Sequence, residues 1–267
     1  MRISAYGNTD EGLVREHNED SYFLAPSEPL YVVADGMGGH NSGEVASRLA
    51  VAAIEAFYHR TAGKDSVDLL QKSGRGRWPF GKRKRTAGYE ELRMEAAIQL
   101  ANKEIIEQAR LDDAKQGMGT TIVCLYFTSA GVFVGHVGDS RCYLLHDGQL
   151  RVVTEDHSLA NEYVKMNILT KEDAEHFPYK NVIVRALGLA EQVQVDIQKV
   201  EFAPGDVFLL CSDGLNDMVP KDQIASILKG IQGSADVAQA VEELIRQARR
   251  AGGNDNITAV VARIEPE

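Results

Sequence analysis

Carboxylate side chains recur at the ends of apolar segments in this sequence, where they are placed to bind cations. Five segment ends share the pattern, and the acidic residues concerned are Glu19 with Asp20, Asp35, Asp139, Asp213 and Asp255. A single Asp-Gly pair after a strand is an ordinary turn signal, so none of these positions indicates a site alone. Five together predict that carboxylates converge at one edge of a β framework.

Clustered carboxylates repel one another, and they cannot all ionise unless cations bind among them. The sequence has no Cys or His at ligand spacing beside these acids. Oxygen-only ligation selects hard divalent ions, here Mg²⁺ or Mn²⁺. Gly36 directly follows Asp35 and lets the backbone approach closely, so the Gly36 carbonyl is a further candidate ligand. The acids therefore predict a hydrolytic site with more than one metal ion.

The composition is that of an ordinary globular protein, with 44% apolar and 25% charged residues. A length of 267 residues suffices for one sizeable core, so a single domain over 1–267 is expected. The N-terminal residues lack the apolar stretch of a secretory signal, and no apolar run approaches the ~18 residues of a membrane span. Three cysteines lie in apolar stretches and are expected to be reduced. These features predict a cytoplasmic protein without a transmembrane segment.

The net charge of −10 is unevenly distributed along the chain. Residues 63–88 hold eight Lys or Arg and two Asp or Glu, which leaves the rest of the chain strongly acidic. An acidic body argues against nucleic acid as a substrate. The basic segment is interpreted as an insertion, either a solvated loop or a surface for an acidic partner or an anionic membrane.

Apolar, β-branched runs predict strands that are covered on both faces. They occupy residues 30–35, 120–127, 131–139, 206–213 and 256–264. Short connections at 128–131 and 146–149 predict antiparallel hairpins. The pattern indicates two packed antiparallel sheets.

Apolar residues at 3/4 spacing predict helices over 43–60, 89–110 and 235–250, which would cover the sheets. Residues 155–181 are expected to form short helices and a surface flap. Loops of this kind set specificity and gate access.

Six short motifs in fixed order resemble those of the type 2C, or metal-dependent, protein phosphatases. They are R-E-H-N-E-D (15–20), D-G-M-G-G-H (35–40), G-D-S-R (138–141), R-A-L-G (185–188), S-D-G-L (212–215) and D-N-I-T (255–258). The resemblance runs from about residue 4 to 264 and is closest to the bacterial members. It implies an α+β fold, a four-layer α-β-β-α sandwich of two antiparallel sheets flanked by helix pairs. It also implies hydrolysis of phosphoserine and phosphothreonine in proteins, opposing a bacterial Ser/Thr kinase in signal transduction.

The resemblance also implies a metal role for each acid. The ligands implied are Glu19, Asp20, Asp35, Gly36, Asp139, Asp213, Asp217 and Asp255. Asp35 would bridge two ions, Mn²⁺ or Mg²⁺, and Asp213 and Asp255 would bind the second of them. Glu19 and Asp20 would hold metal or its waters. Two such ions share a water or hydroxide that attacks phosphorus at neutral pH.

Three further roles follow from the same resemblance. Asp139 and Asp217 would form a third, weaker metal position. Arg15 opens the first motif, and a guanidinium is a bidentate partner for phosphate oxygens. Eukaryotic relatives carry a histidine after the Asp-Gly pair where this chain has Met37, so His40 or a metal-bound water is the candidate proton donor.

The sequence leaves other functions open. A phosphatase for a different phosphoester fits the same acids, because loops rather than the phosphate site select the rest of the substrate. A catalytically silent binding module of the same fold is the second alternative, and the presence of Asp35, Asp213 and Asp255 argues against it. The protein is expected to act as a monomer.

Two features are assigned no catalytic chemistry. The stretch Gly119-Thr120-Thr121 follows a helix and opens a β-branched strand, which explains it without a site. His136 and His157 lie in a strand and beside a turn, and they are interpreted as packing or hydrogen-bonding residues.

Overall fold

Two antiparallel sheets form the framework of the protein, whose computed structural model describes residues 1–25, 28–38, 42–62 and 88–266. The strands are β1 (Ile3–Asp10), β2 (Asp20–Leu24), β3 (Leu30–Met37), β4 (Gly119–Thr120), β5 (Ile122–Thr128), β6 (Gly131–Val137), β7 (Arg141–His146), β8 (Gln149–Val152), β9 (Asp196–Val200), β10 (Val207–Cys211) and β11 (Ile257–Ile264). The first sheet has the order β1-β11-β10-β7-β8. The second has the order β2-β3-β5-β6-β9, with β4 paired to β3.

Helices cover the outer face of each sheet. The α-helices of the described residues are α1 (Ser42–Thr61), α2 (Tyr89–Leu111), α3 (Leu159–Lys165), α4 (Lys171–Glu175), α5 (Asp213–Asn216), α6 (Lys221–Lys229) and α7 (Ser234–Arg250). Helices α1 and α2 pack on the second sheet, and α6 and α7 pack on the first. The four-layer α-β-β-α sandwich implied by the motifs is thereby confirmed.

Three apolar layers hold these four layers together. Ile54 of α1 and Met94 of α2 belong to the layer that joins the helices to the second sheet. Phe127 and Phe208 meet between the sheets, with their ring centroids 5.4 Å apart in an edge-to-face arrangement. Leu244 of α7 belongs to the layer against the first sheet. Because both faces of each sheet are covered, the central strands are apolar at most positions rather than at every second one.

The predicted elements agree with the observed ones over most of their length. The helices predicted at 43–60, 89–110 and 235–250 end within one residue of α1, α2 and α7. Both predicted hairpins are present as the antiparallel pairs β5–β6 and β7–β8. The predicted end of the strand at 206–213 was wrong, because β10 stops at Cys211 and Asp213 instead begins α5. Asp35 also lies within β3, which continues to Met37.

The remaining strands, helices and loops differ in how well the sequence predicted them. The flap region contains the two short helices α3 and α4, as expected. Strands β1 and β9 and helix α6 were not predicted, since their apolar residues are few and mixed with polar ones. Most of the basic insertion, residues 63–87, lies outside the described residues. In the described part of the chain, no helix is long and apolar enough to cross a membrane.

The inter-sheet layer gives a test of the fold. Phe208 is fully buried, and its replacement by Ala is expected to remove about 3–5 kcal/mol of stability, which lowers Tm by roughly 6 °C or more. Val152→Ala, at a position that is 38% exposed, should change Tm by less than about 2 °C. Thermal unfolding followed by circular dichroism measures both variants, and equal shifts would contradict the layer assignment.

Candidate metal centre

Two strands of the second sheet bring aspartates side by side. In the β2–β3 register Asp20 stands directly opposite Asp35. Directly opposite residues of an antiparallel pair share one face of the sheet, with Cβ atoms about 4.5–5.5 Å apart. Tyr22 and Val33, the next pair on this face, belong to the layer between the sheets. Both carboxylates therefore point into the end of the inter-sheet space.

The first sheet delivers two more acids to the same end. Strands β10 and β11 are neighbours there, and the backbone N–H of Ser212 donates to the Thr258 carbonyl at 3.2 Å. Asp213 begins α5 directly after this contact, and Asp255 lies two residues before β11. After burial and the charge of Asp20, the charge of Asp213 also raises the pKa of Asp35, so these two carboxyls approach each other across the two sheets.

Asp139 and Asp217 complete the group at different depths. Asp139 follows β6 and is only 7% exposed, whereas Asp217 ends α5 and is exposed. The charge of Asp213 acts on Asp139, and the charge of Asp217 acts on Asp213. The predicted acids thus come together as one group that extends from a buried floor to an open rim.

Burial and mutual repulsion make these carboxyls reluctant to ionise. Burial and then the charges of neighbouring aspartates raise the pKa of Asp20 to about 7 and that of Asp213 to about 6. Burial and the Asp213 charge raise the pKa of Asp139 to about 7. For Asp35, burial and then Asp20 raise the pKa well above its ordinary value. The group can be fully ionised near neutral pH only when cations offset the repulsion.

Two carboxylate oxygens indicate where a cation fits. Among the described residues, Asp20 Oδ1 and Asp139 Oδ1 are buried and accept no hydrogen bond. A buried oxygen that lacks a donor costs about 1–3 kcal/mol, and more when it is charged. Other aspartates lie near both side chains, and carboxylates are the ligands of hard divalent ions. The donor set therefore fits Mn²⁺ or Mg²⁺.

Hydroxyl groups fix the orientation of Asp20. Its Oδ2 accepts hydrogen bonds from Ser212 Oγ at 2.7 Å and from Thr258 Oγ1 at 2.6 Å. These donors come from the first sheet, whereas Asp20 belongs to the second. The contacts leave Oδ1 as the oxygen available to a cation or its water.

Two threonines fix the backbone of Asp35. No chemistry was predicted for them from the sequence. Thr120 Oγ1 donates to the Asp35 carbonyl at 2.8 Å, and the Asp35 N–H donates to Thr121 Oγ1 at 3.1 Å. The Thr121 N–H also donates to the Asp35 carbonyl at 2.8 Å. The G-M-G-T-T stretch was the signal that could have revealed these positioning contacts.

Gly36 and Glu19 pack tightly against the start of α1. The Gly36 N–H donates to the Glu19 carbonyl at 3.1 Å, and a Cβ on Gly36 would collide with the Gly43 carbonyl. The Glu19 side chain accepts a hydrogen bond from the Gly43 backbone. A carboxylate at a helix N-terminus is favourable, so Glu19 has a structural partner besides any metal-bound water.

Asn256 anchors the loop that carries Arg15. Its Oδ1 accepts from the Glu19 N–H at 2.8 Å, and its Nδ2 donates to the carbonyls of Glu11 and His17, each at 3.0 Å. Within this loop, Arg15 Nη2 lies 2.6 Å from Asp255 Oδ2. Asn256 was not predicted, and its place directly after Asp255 in the D-N-I-T motif was the available signal.

The structure describes the flap and Met37, two further features that the sequence singled out. Asn181 of the flap donates to Asp217 at 3.2 Å, so the flap contacts the rim. Met37 ends β3 and is partly buried. His40 lies outside the described residues.

Comparisons with known proteins identify the family of this chain. The family model for protein phosphatase 2C matches residues 14–261. The chain is 39% identical over 256 residues to the serine/threonine phosphatase stp of Listeria monocytogenes, covering 95% of this chain and 92% of that one.

Solved structures give the same result. The crystal structure of the Mycobacterium tuberculosis serine/threonine phosphatase PstP/Ppp superposes with a TM-score of 0.80 at 35% identity, covering 99% of each chain. The catalytic domain of PstP in complex with two manganese ions gives a TM-score of 0.77 at 34% identity, again covering 99% of each chain. By its motifs, its fold and these matches, the chain belongs to the protein phosphatase 2C family.

Proposed function

We propose that this protein, as a metal-dependent serine/threonine phosphatase, hydrolyses phosphoserine and phosphothreonine in proteins at the group of aspartates between its two sheets. The observation that carries the proposal is the pair of buried Asp20 and Asp139 oxygens without donors, set among carboxyls that repel one another. An arrangement of this kind is stable at neutral pH when cations are bound. That PstP, a relative, binds two manganese ions supports it.

The proposed ligands keep the roles that the motifs imply. Asp35 would be the shared ligand of two ions, with the Gly36 carbonyl contributing to one and Asp213 and Asp255 to the other. Glu19 and Asp20 would hold metal or its waters. When bound, the ions make a water acidic enough to attack phosphorus at neutral pH and offset charge on the phosphoryl oxygens.

Asp139 and Asp217 are proposed to hold a third ion. The two acids differ in exposure, since Asp139 is buried and Asp217 lies at the rim. A site with one exposed ligand exchanges its ion with solvent more readily, which agrees with a weaker position. Mn²⁺ and Mg²⁺ are both candidates for all three positions.

Arg15 is the proposed phosphate ligand. Its side chain is 52% exposed, and its contact with Asp255 holds the guanidinium beside the carboxylates. The guanidinium has five N–H donors, so those not used by Asp255 remain for phosphate oxygens. The proton for the leaving serine or threonine oxygen is assigned to His40 or to a water.

Phosphoprotein substrates suggest a place in signalling. We propose that the protein opposes a bacterial Ser/Thr kinase in the cytoplasm and acts as a monomer. Support comes from the bacterial relatives, which are named as serine/threonine phosphatases.

Substitution of the bridging ligand tests the proposed metal chemistry. Asp35→Asn is expected to lower kcat/KM by at least about 10³-fold, because an amide does not offset the charge of two cations. Hydrolysis of an aryl phosphate and of a phosphothreonine peptide is measured with Mn²⁺ and with chelator. Asp222→Asn, an exposed Asp of α6, is the matched control and should match wild type.

Two outcomes would contradict parts of the proposal. Turnover in chelator, or full activity of Asp35→Asn, would refute the metal-dependent reaction. Hydrolysis of the aryl phosphate without action on any phosphopeptide would instead favour a different phosphoester as substrate.

Removal of Arg15 separates substrate binding from metal binding. Arg15→Ala is expected to raise KM about 10- to 100-fold, since a charge-assisted hydrogen bond contributes roughly 1.5–3 kcal/mol. The Mn²⁺ concentration for half-maximal activity should not rise, because Asp255 loses a competing cation. Arg246→Ala is the control, as Arg246 is 53% exposed and also carries an ion pair, at 2.7 Å from Glu243. Unchanged KM in Arg15→Ala would exclude the phosphate contact.

The raised pKa of Asp139 predicts a pH-dependent stability of the metal-free protein. A carboxyl with a folded pKa of about 7 stabilises the fold while protonated, and this contribution is lost as pH rises from about 4 to 7. Asp139→Asn stays neutral at all pH values. In chelator, the Tm of Asp139→Asn minus that of wild type should therefore be about 4 °C larger at pH 7.5 than at pH 5, which corresponds to about 2 kcal/mol of stability. Saturating Mn²⁺ should reverse the order at pH 7.5. A Tm difference that is constant with pH would contradict the charge-repulsion account.

A further inference from the structure

A fully buried histidine holds the turn that carries Asp139. The backbone N–H of His157 donates to the Gly138 carbonyl at 2.9 Å, and its ring Nδ1 accepts from the Gly138 N–H at 3.0 Å. The N–H and the carbonyl of Gly138 are therefore both hydrogen-bonded to His157, at the base of the flap. Asp139 is the next residue in the chain.

Gly138 depends on such partners for its conformation. Its φ of +109° lies in the region that favours glycine, and a Cβ there would lie 2.6 Å from Thr121 Cβ. Glycine has little intrinsic preference for one backbone state, so external hydrogen bonds determine how the turn is oriented. Among the described residues, Asp139 Oδ1 accepts no hydrogen bond, and the direction of this carboxylate follows from the turn.

The hydrogen bond from Gly138 selects one tautomer of His157. A backbone N–H can only donate, so Nδ1 must be the acceptor and the ring proton must lie on Nε2. Nε2 then donates to Asp196 Oδ2 at 3.2 Å. Arg185 of the R-A-L-G motif lies 3.1 Å from Asp196 Oδ1. The hydrogen bond from His157 lowers the pKa of Asp196, so the carboxylate stays charged and retains the proton on Nε2 of its partner.

The same cluster has the spacing of a metal site, but its hydrogen bonds indicate another role. One ligand atom each from His136, His157 and Asp196 lie within 4.8 Å of one another. Arg185 Nη1, which can only donate, lies 2.9 Å from His157 Nε2, so a cation already occupies this side of the ring and opposes the Nε2 proton that the Gly138 bond requires. His136 stacks on His157 at 4.6 Å, and its Nε2 donates to the Glu155 carbonyl at 2.9 Å.

We propose that His157 is a positioning residue for Asp139. Its Nδ1 holds Gly138 so that the Asp139 carboxylate faces Asp213, and the Asp196 carboxylate, as the acceptor for Nε2–H, keeps the ring in the tautomer that this needs. The inference rests on the proposed function, in which Asp139 holds a cation.

Two substitutions separate the ends of the imidazole. His157→Asn places an oxygen near the position of Nδ1 and keeps an acceptor for Gly138. His157→Gln reaches toward Asp196 but lacks that acceptor. His136→Gln is the matched control, since it changes the stacked histidine that does not contact Gly138.

Mn²⁺ binding measured by isothermal titration calorimetry is the main readout. Asp139→Asn is expected to weaken the weakest Mn²⁺ site about tenfold or more. His157→Gln should weaken the same site by a similar factor, whereas His157→Asn and His136→Gln stay within about threefold of wild type. In the Asp139→Asn background, His157→Gln should have no further effect, because both act on one ligand.

Each outcome bears on a separate statement. Unchanged Mn²⁺ binding in Asp139→Asn contradicts the proposed third ion. If Asp139→Asn weakens Mn²⁺ binding and His157→Gln does not, or if the two effects add in the double variant, the positioning role alone is overturned. Long-range ¹H–¹⁵N NMR of the unmodified protein in chelator gives a readout that does not depend on variants folding. It should show the Nε2–H tautomer for His157, and the Nδ1–H tautomer would overturn the inference.

Discussion

Repulsion among carboxylates at one end of the inter-sheet space is the constraint on which the rest of the structure depends. Asp20 and Asp35 stand opposite each other in one sheet, and Asp213 approaches Asp35 from the other. Burial of these groups opposes their ionisation, so the fold must supply stability from elsewhere to hold them together. The three apolar layers supply it, and they place the two sheets so that their acidic ends coincide.

The acids are held by neighbours that are not themselves candidate ligands. Thr121 fixes the backbone of Asp35, and Asn256 fixes the loop before Asp20. Ser212 and Thr258 hold one oxygen of Asp20, which leaves the other available. Each of these partners uses a short side chain that is buried and rigid, so the geometry of the acids is set before any ion binds.

How much the sequence could predict depended on how local each feature is. Helices such as α7 follow from the 3/4 spacing of their apolar residues, and the β5–β6 hairpin follows from its short turn. The acids were found because they recur at segment ends. Their partners were missed because the contacts are distant in sequence: Thr121 lies 86 residues from Asp35, and Asn256 lies 237 from Glu19. Nothing local distinguishes a threonine that packs from one that orients a ligand.

The flap combines a fixed base with an exposed tip. At the base, Arg141 binds both carboxylate oxygens of Asp156, and His157 binds Gly138. At the tip, Met166 and Tyr179 are each more than 60% exposed and contribute little to any core. Side chains at the tip can therefore change without moving the turn before Asp139. In the proposed enzyme, this arrangement separates the choice of substrate from the geometry of the metal centre, although both depend on one segment.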